Sequence, residues 1–151
     1  MHPELCKQLV DQEVQEAIRR DGLLDERFRI IEAVFPHLYV QFTNTEGRVR
    51  LIHFECTNYD FQPVAIEPVY PVTRLPLPSD DWMSRDNASF PAHPLKGGMP
   101  FLCLSGTRDY YFFEGHNPNI TGDRWERWRA ELRLPDLIQF IKAKFMEGRW
   151  K

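Results

Sequence analysis

Cys103 stands ten residues after the pair His93-Pro94, inside the apolar run Phe101-Leu102-Cys103-Leu104. A thiolate is a strong nucleophile, and a polar group near it in space tunes its ionisation. Cys103 is therefore the first candidate for a reacting atom, with His93 as its upstream polar neighbour. Gly97-Gly98 before the sulfur and Ser105-Gly106 after it leave the backbone open, so that an extended chain can approach closely. The apolar run equally suits a packed core cysteine, because a free thiol behaves as a small hydrophobe. His93 also suits a structural role, as a loop imidazole bonded to backbone carbonyls. Cys6, beside a helical stripe, and Cys56, at a strand end, read as packing residues.

A second chemistry is open to the same stretch. His93, Cys103, Asp109, Glu114 and His116 could supply a metal site of mixed nitrogen, sulfur and oxygen ligands. Zinc sites favour tight pairs such as Cys-x2-Cys, and the chain has none. His53-x2-Cys56 is the close pair it does have, and on a strand that spacing sends the two side chains to opposite faces.

Periodicity identifies the elements that must position these groups. Leu5, Leu9, Val14, Ala17 and Ile18 recur at helical spacing with charged residues between them, which predicts an amphipathic first helix ended by Asp21-Gly22. Strand-like segments follow at Phe28 to Val34, Leu38 to Phe42 and Val49 to Cys56, the last two joined by the hairpin loop Thr43 to Gly47. Leu38, Val40 and Phe42 alternate, as do Ile52, Phe54 and Cys56, so an antiparallel meander with one buried face is expected. Pro63 to Val69 gives a short extended segment. Proline is then concentrated as far as Pro91, which predicts a long irregular connection. From Gly122 the helical period returns through Trp125, Trp128, Leu132, Leu137, Ile138, Phe140, Ile141 and Phe145, with a break at Pro135 and a final helix from near Asp136. The expected class is α+β, with the N-terminal helix on one side of a four-stranded antiparallel meander and the C-terminal helices closing the other.

Composition bounds the rest. A chain of 151 residues with 42% hydrophobic content and 13% aromatics suits a single domain over 1–151 with a sizeable core. A formal net charge of −3 gives no basic footprint for nucleic acid. No run of 18 apolar residues or basic-then-apolar leader suggests a membrane, and three widely spaced cysteines suit a reducing compartment, so the cytoplasm is the expected address.

Taken in order, these features resemble the ubiquitin-conjugating enzymes, specifically diverged bacterial members encoded in ubiquitin-like conjugation operons. A first helix precedes a meander, and Tyr59-Asp60-Phe61-Gln62-Pro63-Val64-Ala65-Ile66 is similar to that family's tyrosine-proline turn into its fourth strand. His93-Pro94 is similar to the start of its His-Pro-Asn motif, and Cys103-Leu104 stands where its catalytic cysteine and following leucine would be. Leu95 departs from the pattern, because the family has an asparagine there that stabilises the oxyanion. Asn87, Asn117 and Asn119 are the replacements nearby in sequence, and Tyr110 to Asp123 also departs from the eukaryotic pattern.

The resemblance implies a UBC-like fold and an enzyme without cofactor. Cys103 would accept a ubiquitin-like protein as a thioester from an activating enzyme and pass it to a protein target. Asp109, the nearest acid after the sulfur, would orient and desolvate the incoming amine, and an antiviral role would follow from the operon type. It also implies that the first helix docks on the activating enzyme, with Lys7, Arg19 and Arg20 meeting an acidic surface. The alternatives are a metal-binding or non-catalytic UBC-like partner protein. In the non-catalytic case Trp125, Trp128 and Trp150 would be candidate contacts.

Overall fold

The computed structural model describes residues 2–21, 27–78, 81, 92–93, 99–113, 116 and 124–146, and omits the side chains of 21, 92, 93, 99, 100 and 146. Helix α1, Pro3–Asp21, leads into a sheet of strands β1 Phe28–Val34, β2 His37–Thr43, β3 Val49–Glu55 and β4 Ala65–Val69, paired antiparallel in the order β1-β2-β3-β4. A two-stranded pairing of β5, Ala92–His93, with β6, Met99–Pro100, comes next. Short helices α2, Arg108–Phe112, and α3, Trp125–Trp128, precede α4, Leu134–Met146. The α+β class and the meander of the sequence reading are therefore present.

Side-chain alternation decides the faces of the sheet. Leu38, Val40 and Phe42 of β2 and Ile52 and Phe54 of β3 point inward and are fully buried, while His37, Tyr39 and His53 lie on the other face. The register is set by the β2–β3 loop. Asn44 Oδ1 accepts the backbone N–H groups of Glu46 and Arg48, each at 2.9 Å, and Gly47 takes a φ of +76°, in the left-handed region that glycine reaches freely. This closes Thr43 against Val49 and fixes every later pair, including His37 with Glu55 and Tyr39 with His53.

Three sequence expectations need correction. The helices do not sandwich the sheet: α1 packs on α4, and residues of both join the inner-face strand residues in one core, so the helices share one face. The buried stripe of α1 is Cys6, Val10, Val14 and Ala17, whereas Leu5 is 57% exposed. The helix is rotated so that Cys6 seats its thiol against the backbone carbonyls of Cys56, at 3.3 Å, and Tyr59, at 3.5 Å. Pro135 lies within the first turn of α4, where its missing N–H costs no helical bond.

A polar node ties these pieces together. The Glu13 carboxylate of α1 accepts hydrogen bonds from Tyr59 Oη at 2.6 Å, from the Leu134 N–H at 3.0 Å and from the Arg133 guanidinium, which also donates to Asp60 Oδ1 at 2.7 Å. Burial opposes the Arg133 charge, yet its bonds to Asp60 and Glu13 outweigh this and hold the guanidinium more firmly protonated than usual. The node joins α1, the turn before β4 and the start of α4, which frame the segment bearing Cys103. No described helix is long and apolar enough to cross a membrane.

Candidate functional site

Cys103 occupies the middle of a tight turn. The Leu104 N–H donates back to the Leu102 carbonyl at 2.9 Å, a three-residue closure that takes the chain out of extended geometry after two buried residues, Phe101 and Leu102. The next turn is locked by Thr107, fully buried, whose N–H and hydroxyl both donate to the Leu104 carbonyl, at 3.1 and 2.7 Å. Gly106 has a φ of +93°, and a Cβ there would stand 2.6 Å from Leu137 Cδ2 of α4, so the position needs glycine for both its backbone and its space. The Arg108 N–H then donates to the Val64 carbonyl at 2.7 Å, and its guanidinium pairs with Glu55 at 2.8 Å, anchoring α2 to the sheet.

Within this frame Cys103 is half-buried, unlike the two sealed cysteines. Burial pushes its thiol above the ordinary range, so the resting sulfur is protonated at neutral pH. The group beside it is His116, whose Nε2 lies 3.8 Å from Sγ. His116 Nδ1 is 2.9 Å from the Tyr110 backbone carbonyl, which can only accept. Nδ1 therefore carries a proton, and Nε2 is the ring nitrogen that faces the thiol. The Tyr110 ring stacks on the imidazole at 3.9 Å, and Phe113 meets the same imidazole edge-on at 5.3 Å. Thiol, imidazole and orienting carbonyl are the kinds of group that a thiol nucleophile, its base and a positioning acceptor can be drawn from.

A groove of about 600 Å³ opens beside the sulfur, walled by Tyr110, Trp128, Leu132 and Phe140, with Glu131 as the charged residue of its described lining. Its volume and apolar walls suit an acyl group or a short extended peptide.

The sequence-derived candidates separate here. Cys103 lies in the Leu102–Leu104 turn, outside the named strands and helices. His93 sits in β5 paired with Met99, so the β5–β6 pairing returns the chain toward the cysteine, but its imidazole lies outside the described residues. Asp109 lies in the first turn of α2, one residue before the Tyr110 carbonyl that orients His116. Leu95, Glu114, Asn87, Asn117, Asn119 and Trp150 also lie outside the described residues. Among the described residues no three His, Cys, Asp or Glu side chains gather as a metal site, and of the five ligands proposed for this stretch the His93 imidazole and Glu114 lie outside those residues. His116 was legible only as a possible ligand. Its role beside the thiol depends on the turn at Phe113, where the His116 N–H donates to the Phe113 carbonyl at 2.9 Å. On α1, Arg20 bonds Glu16 and reaches Asp136 of α4 at 2.7 Å, so it braces two helices and is not a free docking charge.

No family model matches the chain. It is similar to a Sinorhizobium fredii protein named "Uncharacterized protein y4jH", with 27% identity over an alignment covering 64% of this chain. The match spans 58% of that relative's length.

Proposed function

We propose that the protein is a ubiquitin-conjugating-like transferase that carries a ubiquitin-like protein as a thioester on Cys103 and passes it to an amine of a protein target. The observation that supports this most is the thiol at a tight turn with His116 Nε2 at 3.8 Å, held by the Tyr110 carbonyl. The order of helix, four-stranded meander, His93-bearing pairing and cysteine agrees with the same reading.

In the loading step the Cys103 sulfur attacks the carbonyl carbon of the activating enzyme's thioester while its proton passes to His116 Nε2. A new C–S bond forms, the old one breaks, and the departing thiolate takes the proton back from the imidazolium. In the transfer step an amine nitrogen attacks the Cys103 thioester and yields its proton to His116. The C–S bond breaks as the amide forms, and Cys103 leaves with that proton. While protonated, His116 has an Nε2–H able to donate to the oxyanion, a contribution that Leu95 cannot make.

The test combines purified protein, a candidate ubiquitin-like protein, its activating enzyme and ATP. A thiol-reducible adduct should form and disappear in Cys103→Ala. An adduct persisting in that variant, with Cys6 and Cys56 intact, would place the chemistry elsewhere.

A further inference from the structure

The outer face of the sheet, opposite the core, carries a pair of imidazoles that the thiol chemistry does not use. His37 Nδ1 on β2 and His53 Nε2 on β3 are 3.0 Å apart. They are diagonal neighbours, since His37 is in register with Glu55 and His53 with Tyr39. The His53 ring is held by stacking on Tyr39 at 4.7 Å and 15°, and Tyr39 is covered in turn by the Arg74 guanidinium at 4.5 Å.

We infer that His37 and His53 form a two-nitrogen chelate for a divalent late transition metal, on the sheet face remote from the core. Two imidazole nitrogens bound at about 2.0–2.1 Å and at right angles lie roughly 2.9 Å apart, whereas tetrahedral ligands lie roughly 3.3 Å apart. The observed 3.0 Å separation is that of a hydrogen bond between the two rings, and it is also within reach of one ion bound by both nitrogens once the bridging proton has left. Both nitrogens are on paired strands pinned by the Asn44 loop, so little chain ordering accompanies binding. Among the described residues no third His, Cys, Asp or Glu completes a cluster with the pair.

The charges around the pair are mixed, and the nearest carboxylate, Glu55, is already paired with Arg108 at 2.8 Å. Glu55 on β3 and Glu67, in register with His53 on β4, add carboxylates to the same face. Arg74 opposes them, but it pairs with Glu32 at 3.8 Å.

The test is a calorimetric titration of the full chain with NiCl₂ at pH 7.5, comparing wild type with His37→Gln, His53→Gln and Cys103→Ser. Wild type should take up one ion per chain, each histidine variant should bind at least tenfold more weakly, and Cys103→Ser should match wild type. NMR checks the site independently of affinity, since paramagnetic Ni²⁺ should broaden the His37 and His53 ring protons first. Absence of saturable binding, unchanged binding in both histidine variants, or loss in Cys103→Ser with the His37 ring unbroadened would overturn the inference.

Discussion

Cys56 and Cys103 belong to one small protein and share an apolar neighbourhood, yet their surroundings give them opposite chemistry. Cys56 is sealed at the end of β3, with α1 laid over it and the Cys6 thiol donating to its carbonyl. Burial drives its own thiol far up, with the nearby Glu55 charge adding to the effect. Cys103 is also pushed up by burial, but only in part, and it opens onto a groove with an imidazole beside it. What separates the two sulfurs is an open path for a second molecule, which reaches Cys103 alone of the two, and an imidazole beside that path. Three thiols of one type give one candidate nucleophile.

Native-state alkylation should give the sharpest break in this comparison. Iodoacetamide at pH 8 should add one group per folded chain, at Cys103, and Cys103→Ser should abolish it, while Cys6 and Cys56 label only after unfolding. Because burial raises the Cys103 thiol above the usual value near 8.5, its labelling rate should keep rising beyond that pH. Equal labelling of Cys56 in the folded protein, read by mass spectrometry of peptides, would erase the distinction.

His116→Phe tests the second half of the contrast. The ring preserves the stack on Tyr110 but removes the base, so transfer from a Cys103 thioester to an amine should slow by about 10²-fold or more. Alkylation by a small reagent, which needs no proton acceptor in a tetrahedral step, should change far less. If transfer is unaffected, the imidazole only packs.

How far these features were legible follows from the range of the signals. The helix and meander could be read because burial imprints a period of 3.6 or 2 on neighbouring residues, and Leu38, Val40 and Phe42 match their core positions. The face of α1 was misread by one residue, with Leu5 placed inside, because Cys6 is a small hydrophobe that scores weakly in a pattern. Cys103 could be found from its neighbours in sequence. His116 could not be assigned to it, since thirteen residues separate them and the turn that brings them together leaves no periodic mark. The His37–His53 pair carried a usable signal: once the Asn44 loop is recognised, its length fixes the register, and the two histidines fall on one face.

Gly106→Ala probes the frame that separates the two thiols. The new methyl would have to hold a left-handed backbone and displace the buried Leu137 side chain, at a cost of about 1–3 kcal/mol. Chemical denaturation should show this loss, and relaxation of the turn three residues after the sulfur should also alter Cys103 labelling in the variant. A core change such as Cys56→Ala should lower stability without touching the labelling rate. If both variants behave alike, the turn and the core are not separable.

The smallest effect is expected from Glu55→Gln, which weakens the link between the sealed end of β3 and the start of α2. Glu55 and Arg108 are each about a quarter exposed, with side-chain exposures of 24% on both sides and a separation of 2.8 Å, so the pair is screened but not fully hydrated. A stabilisation of about 1 kcal/mol is the reasonable scale. Burial opposes the Glu55 charge, but hydrogen bonds from Thr57 and Arg108 prevail and hold its carboxyl below the usual range. A carboxyl depressed in the folded state contributes stability that is complete above the unfolded value, near 4.3, and is lost as pH falls through the lower folded value. Wild type should therefore exceed Glu55→Gln in urea stability by about 1 kcal/mol at pH 7, with the difference shrinking below about pH 4. A difference that instead grew on acidification would mean that burial outweighs the bonds from Thr57 and Arg108, and that Cys103 is held by its own turn without help from β3.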